Sequence, residues 1–119
     1  YQAIFEKYGL INVFLITPQT SSERIRFIDS ISRGFIYMVS SASTTGVQKG
    51  FGPEQTNYFK RIADMDLKNP QIVGFGISNH ETFKQATQYA KGAIIGSAFI
   101  KYLTKKGILT ISDFISLIK

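Results

Sequence analysis

Apolar residues in this chain fall into runs of two kinds that take turns. The first kind is short and nearly continuous. Leu10-Ile11-Asn12-Val13-Phe14-Leu15-Ile16-Thr17 is rich in β-branched residues and ends at Pro18. It predicts a strand buried on both faces, the kind from which parallel sheets are built. Phe35-Ile36-Tyr37-Met38-Val39-Ser40 follows Gly34, Gln71-Ile72-Val73 follows Asn69-Pro70, and Gly92-Ala93-Ile94-Ile95 completes the set. The second kind spaces its apolar residues by three or four. Ile25, Ile28 and Ile31 make one such stripe, Tyr58, Phe59 and Ile62 another, and Phe83, Ala86 and Tyr89 a third. Each predicts a helix with one buried face.

Start and stop signals frame these helices. Tyr1 to Tyr8 read as the end of a helix, with Gly9 at the left-handed position beyond it. Thr20-Ser21-Ser22-Glu23 and Ser78-Asn79-His80-Glu81 have the form of capping boxes. Pro53 and Glu54 suit the first turn of a helix running to about Leu67. A helix from about Ala98 to Lys105 stops at Gly107, and a last one covers Ser112 to Ile118. Between Ser41 and Gly50 lies a loop of small and polar residues without periodicity, long enough for a lid or binding loop.

A helix followed by four strand–helix units is an α/β pattern, and it implies a parallel sheet with right-handed crossovers. An open doubly wound sheet and part of a (β/α)8 barrel both satisfy it. In either, ligands meet the carboxyl edge of the strands. Two glycine junctions fall there: Gly74-Phe75-Gly76-Ile77-Ser78 after the third strand and Gly96-Ser97 after the fourth. Glycines at such turns leave backbone N–H groups open to a ligand. The following helix adds unpaired donors and the positive end of its dipole. Two junctions close in space would make an anion cup without any Lys or Arg. Barrel phosphate sites use the loops after strands seven and eight, which favours the carboxyl-terminal half of a TIM barrel. Residues 1–119 are thus expected to form a single half-barrel unit with four parallel strands. Eight strands take roughly 250 residues, and the chain opens on Tyr1 inside a helix, so it is expected to be a fragment of a longer one.

Composition narrows the function. The 119 residues are 44% hydrophobic and 18% charged, and no apolar run nears the roughly 20 residues of a membrane span. No cysteine and a single histidine, His80, exclude disulfides, thiolate sites and multi-histidine metal cages. The net charge of +6 comes from scattered Lys and Arg with no basic stripe, which argues against nucleic acid. A cytoplasmic protein without membrane attachment is the expectation.

The run Gly34 to Ser40, the Thr45-Gly46 pair, Gly74-Phe75-Gly76-Ile77-Ser78 and Gly96-Ser97-Ala98-Phe99-Ile100-Lys101 together resemble the carboxyl-terminal half of the tryptophan synthase alpha subunit family. The resemblance covers essentially the whole chain in order. It implies a (β/α)8 barrel that cleaves indole-3-glycerol phosphate to indole and glyceraldehyde 3-phosphate. It also implies a beta-subunit partner carrying pyridoxal phosphate, with no cofactor or metal in this chain. By resemblance, amides of Gly46, Gly76, Gly96 and Ser97 would hold the substrate phosphate, and Ser97 would add its hydroxyl. Tyr37 and Thr45 would be accessory to catalysis, while Phe75 and Ile94 would line the substrate pocket.

The chemistry needs an acid and a base, which the family draws from the first half of its barrel. Here Glu6, Asp29, Asp64, Asp66 and Asp113 belong to helices or their ends, and Glu23, Glu54 and Glu81 to first turns. None follows a strand, so this chain alone is expected to lack lyase activity and to carry no catalytic acid or base. His80 is expected to be solvated, and Lys101 to be surface or structural. A half barrel would leave open edges around Val13 and Ile94, so self-association is expected. Two other readings compete: an isomerase or epimerase of another sugar phosphate, and a non-catalytic phosphate-binding or assembly module.

Overall fold

The computed structural model describes residues 1–40, 51–107 and 111–119. In chain order these form α1 (Gln2–Lys7), β1 (Phe14–Ile16), α2 (Ser22–Ile31), β2 (Ile36–Val39) and α3 (Pro53–Asp64). There follow β3 (Gln71–Gly74), α4 (His80–Thr87), β4 (Gly92–Ile94), α5 (Ser97–Lys106) and α6 (Ile111–Ile118). The strands pair in parallel in the order β1-β2-β3-β4, with Phe14 beside Ile36, Met38 beside Val73, and Gly74 beside Ile94.

A strand order that never reverses decides between the two architectures. Right-handed crossovers that all step the same way lay every helix on the same face of the sheet. A doubly wound sheet would reverse and cover both. Burial follows suit. Ile16, Met38 and Val73, in register across the strands, and Ile36 on the same face of β2, are 0–1% exposed against Ile25, Ile28, Tyr58, Phe59, Ile62 and Ala86. On the opposite face Leu15 is 57% exposed and Ile94 36%. The radius of gyration, 15.8 Å, exceeds the roughly 13.5 Å of a compact domain of this length, as a half shell should.

The predicted first strand needs correction. Only Phe14–Ile16 pair, and Leu10, Ile11 and Leu15 are exposed. Continuous hydrophobicity reflects two apolar faces, but here only the face toward the helices is covered. Both caps also shift by one residue, and only α4 keeps a reciprocal box. Ser21, not Thr20, caps α2 by accepting the Arg24 amide, because the Thr20 hydroxyl already accepts from the Thr17 amide. Asn79, not Ser78, caps α4, and Thr82 takes the place expected for Glu81. The remaining signals hold. Gly9, at φ +68°, ends α1 with Leu10 N–H bonded to the Phe5 carbonyl and Gly9 N–H to the Glu6 carbonyl. Pro53 occupies the first turn of α3 and Gly107 stops α5.

Polar clamps lock the connections. At the amino end of the sheet, the Asp29 carboxylate accepts from the Lys68 and Asn69 amides at 2.8 and 2.9 Å and from Asn69 Nδ2 at 2.8 Å. Burial alone would raise the Asp29 pKa. These bonds and the Lys68 charge outweigh it and hold the carboxyl below its ordinary 3.8. At the other end, Arg61 donates to the carbonyls of Pro18 and Thr20, and Tyr58 Oη donates to the Ile16 carbonyl. Burial pushes the Tyr58 phenol pKa up, so it remains a donor at any physiological pH.

Candidate functional site

At the carboxyl edge, a cleft of about 1320 Å³ opens over the ends of β2, β3 and β4. Tyr37, Phe75, Gly76, Ile94, Gly96 and Ser97 all line it. These residues come from three separate stretches of the chain, and parallel pairing brings them together. Thr45 and Gly46 lie outside the described residues.

Each wall has a local cause. Alternation along β2 turns Tyr37 to the face away from the helices, beside Leu15 and Ile72 in register. Its ring lies across β3. A Cβ on Gly74 would collide with the Tyr37 hydroxyl and ring, so glycine is required there for close approach. Phe75 follows with φ +68° and Gly76 with φ +77°, two successive left-handed residues. For phenylalanine that conformation costs about 1–2 kcal/mol. Phe75 meets Tyr37 edge-on, ring centroids 6.2 Å apart, and is otherwise largely exposed.

The two helix starts facing the cleft differ. At α4, Asn79 Oδ1 accepts the Thr82 amide at 2.9 Å, and Thr82 Oγ1 accepts the Ser78 and Asn79 amides at 3.0 and 3.1 Å. At α5, Gly96 is the cap, with no side-chain hydrogen bond and no acidic residue in the first turn. Ser97, Lys101 and Lys105 lie on one face of α5 and line the cleft. No Asp or Glu is among the lining residues, so the cleft carries positive charge only. His80 also lines it, exposed as expected, while its Nδ1 donates to the Ile118 carbonyl at 3.0 Å. Among the described residues no group of three or more His, Cys, Asp or Glu could hold a metal. No helix there is long and apolar enough to cross a membrane.

Sequence reasoning overlooked Lys101 and Lys105 as cleft residues. Their spacing from Ser97, four and eight positions, was the available signal. It also overlooked a role for Ser40, which closes the Gly34 to Ser40 run but whose hydroxyl has its partners far away in sequence.

Chemically, the arrangement offers backbone amides at Gly76 and an uncapped helix start at Gly96-Ser97, beside an apolar wall of Tyr37, Phe75 and Ile94. An anion with an attached flat apolar group suits both halves.

Known proteins fit this description. The sequence profile of the tryptophan synthase alpha chain family matches residues 1–114. The chain is 73% identical over 119 residues to the tryptophan synthase alpha chain of Flavobacterium johnsoniae, covering all of itself and 47% of that relative. It is 52% identical over 118 residues to that of Bacteroides thetaiotaomicron, covering 95% of itself and 46% of that relative. Among solved structures, the tryptophan synthase A-subunit of Pyrococcus furiosus superposes with a TM-score of 0.73 at 30% identity, over 98% of this chain and 46% of that one. The tryptophan synthase a2b2 complex of the same organism matches with a TM-score of 0.72 at 34% identity, over 88% of this chain and 42% of that one. The chain spans about half the length of the curated relatives it matches. With nearly every residue matched in order, and four parallel strands that superpose on the carboxyl-terminal half of these barrels, the chain belongs to the tryptophan synthase alpha chain family.

Proposed function

We propose that this chain is the phosphate-holding half of a carbon–carbon lyase that cleaves indole-3-glycerol phosphate to indole and glyceraldehyde 3-phosphate. The reading is carried by the convergence of Tyr37, Phe75, Gly76, Ile94, Gly96 and Ser97 on a single cleft that contains no carboxylate. The phosphate sits on the amides of Gly76, Gly96 and Ser97 and on the Ser97 hydroxyl, with Gly46 contributing from the loop. The dipole of α5 favours the dianion there. The indole ring lies against Phe75, Ile94 and Tyr37, which exclude water from the breaking bond. Cleavage puts a proton on the indole carbon and removes one from the glycerol portion. The acid and base for these transfers come from the remaining length of the barrel, Tyr37 and Thr45 being accessory. A beta subunit receives the indole, and pyridoxal phosphate belongs to that partner.

Titrating glycerol 3-phosphate into the whole isotope-labelled protein is expected to move the Gly76 and Ser97 amide resonances together. An unchanged spectrum at saturating ligand removes the phosphate assignment. The 119-residue chain alone is expected to release no indole, and turnover above background contradicts the division of labour. It is also expected to self-associate through the open edges of β1 and β4, which a monomeric sedimentation profile would refute. The carboxylate-free lining equally favours a non-catalytic phosphate-binding module. Indole release by the whole protein discriminates, since a mere binding module produces none.

A further inference from the structure

We propose that Ser40 is a positioning residue. Its buried hydroxyl holds the carbonyls at Gly74 and Phe75 so that the left-handed turn presents the Gly76 amide to an anion in the cleft. This rests on the phosphate reading above.

Ser40 follows β2 directly and is 1% exposed. Its amide donates to the Gly74 carbonyl at 3.1 Å, extending the ladder between β2 and β3. Its Oγ lies 2.7 Å from the same carbonyl and closer still to the Phe75 carbonyl. A hydroxyl has one proton to give. The Gly74 carbonyl already has the Ser40 amide, so the Phe75 carbonyl is the group that depends on the hydroxyl.

That dependence sets a direction. The Phe75–Gly76 peptide is trans and planar, so its C=O and N–H point opposite ways. Drawing the Phe75 carbonyl inward to Ser40 aims the Gly76 N–H away from Ser40. Gly76 lines the cleft and Ser40 does not. Among the described residues, no other hydrogen bond reaches the Phe75 carbonyl. Phe75 adopts an unfavourable φ and is 59% exposed, its ring meeting Tyr37 edge-on. Without the hydroxyl, the peptide is free to flip and take the amide out of the cleft.

The test compares Ser40→Ala with Ser32→Ala in the whole protein, with inorganic phosphate as the probe. Ser32 is a matched control, a serine 4% exposed whose Oγ donates to the Ile28 carbonyl at 2.6 Å, remote from the cleft. Phosphate affinity and the Gly76 amide shift are read beside the melting temperature. Ser40→Ala is expected to weaken phosphate binding about tenfold and abolish the Gly76 response. Ser32→Ala is expected to lower the melting temperature comparably and leave binding within about twofold. If Ser40→Ala does not fold, Ser40→Cys, of similar size but a poor donor, gives the same readout. Normal binding by the Ser40 variant overturns the positioning role and leaves the phosphate site standing. Equal weakening in both variants also overturns it, because the loss then follows stability. A wild-type protein whose Gly76 amide ignores phosphate overturns both proposals.

Discussion

The two glycine junctions look alike in sequence and are built in opposite ways. At Gly74-Phe75-Gly76, the first two carbonyls both have partners. Ser40 holds two carbonyls, and the start of α4 is closed by Asn79 and Thr82, with Glu81 in its first turn. The donor proposed to face the cleft is a single turn amide, that of Gly76, held by Ser40 against the strain at Phe75. At Gly96-Ser97 the cap residue offers no side chain to close the helix, and no acid sits in the first turn of α5. In the proposed site the first junction contributes direction and the second contributes field. An anion cup needs both, because an uncapped helix end attracts without fixing orientation, while one aimed amide has little attraction of its own.

That contrast can be broken by substitution. The largest effect is expected from Gly74→Ala, whose Cβ runs into the Tyr37 hydroxyl and ring. Overpacking of this kind costs up to about 3 kcal/mol. Chemical denaturation of the whole protein measures it, and adding Tyr37→Ala in the same chain is expected to recover at least part of the loss. No recovery would mean that Tyr37 is not the obstacle.

Asp29→Ala, at the far end of the sheet, serves as the control and is expected to cost about 2 kcal/mol, since it orphans the Lys68 and Asn69 amides. Phosphate binding should be untouched. The folded pKa of Asp29 is depressed, so its stabilisation is complete above 3.8 and is lost as pH falls from there through the folded value. Acid titration of stability is therefore expected to steepen below pH 3.8 in the parent relative to Asp29→Ala.

The smallest changes test the junctions directly. Asn79→Ala removes the α4 cap and is expected to cost about 1 kcal/mol without changing the anion site. Gly96→Asp is expected to do the reverse. The position has open space for a side chain, so the aspartate caps α5 and raises stability by a few tenths of a kcal/mol. It also fills the place proposed for the anion, and phosphate affinity should collapse. A thermal melt paired with a phosphate titration checks both. A Gly96→Asp protein that still binds phosphate would show the two junctions to be less different than their caps.

The chain by itself determined the order of elements, the parallel sheet and the glycine turns at its carboxyl edge. Hydrophobic period and turn chemistry are local properties, read within a few residues. It also carried the family motifs, which singled out Tyr37, Phe75, Gly76, Ile94, Gly96 and Ser97, six residues that line one cleft. The folded molecule decided what depends on partners distant in sequence. Which apolar residues stay exposed, as Leu15 does, depends on what covers each face of the sheet. Which residue caps a helix depends on whether its hydroxyl is already engaged, as Thr20 is with Thr17. Why residue 74 is glycine depends on a tyrosine 37 positions earlier. Ser40 was illegible for the same reason: its acceptors lie 34 and 35 residues away, and only strand pairing brings them within reach.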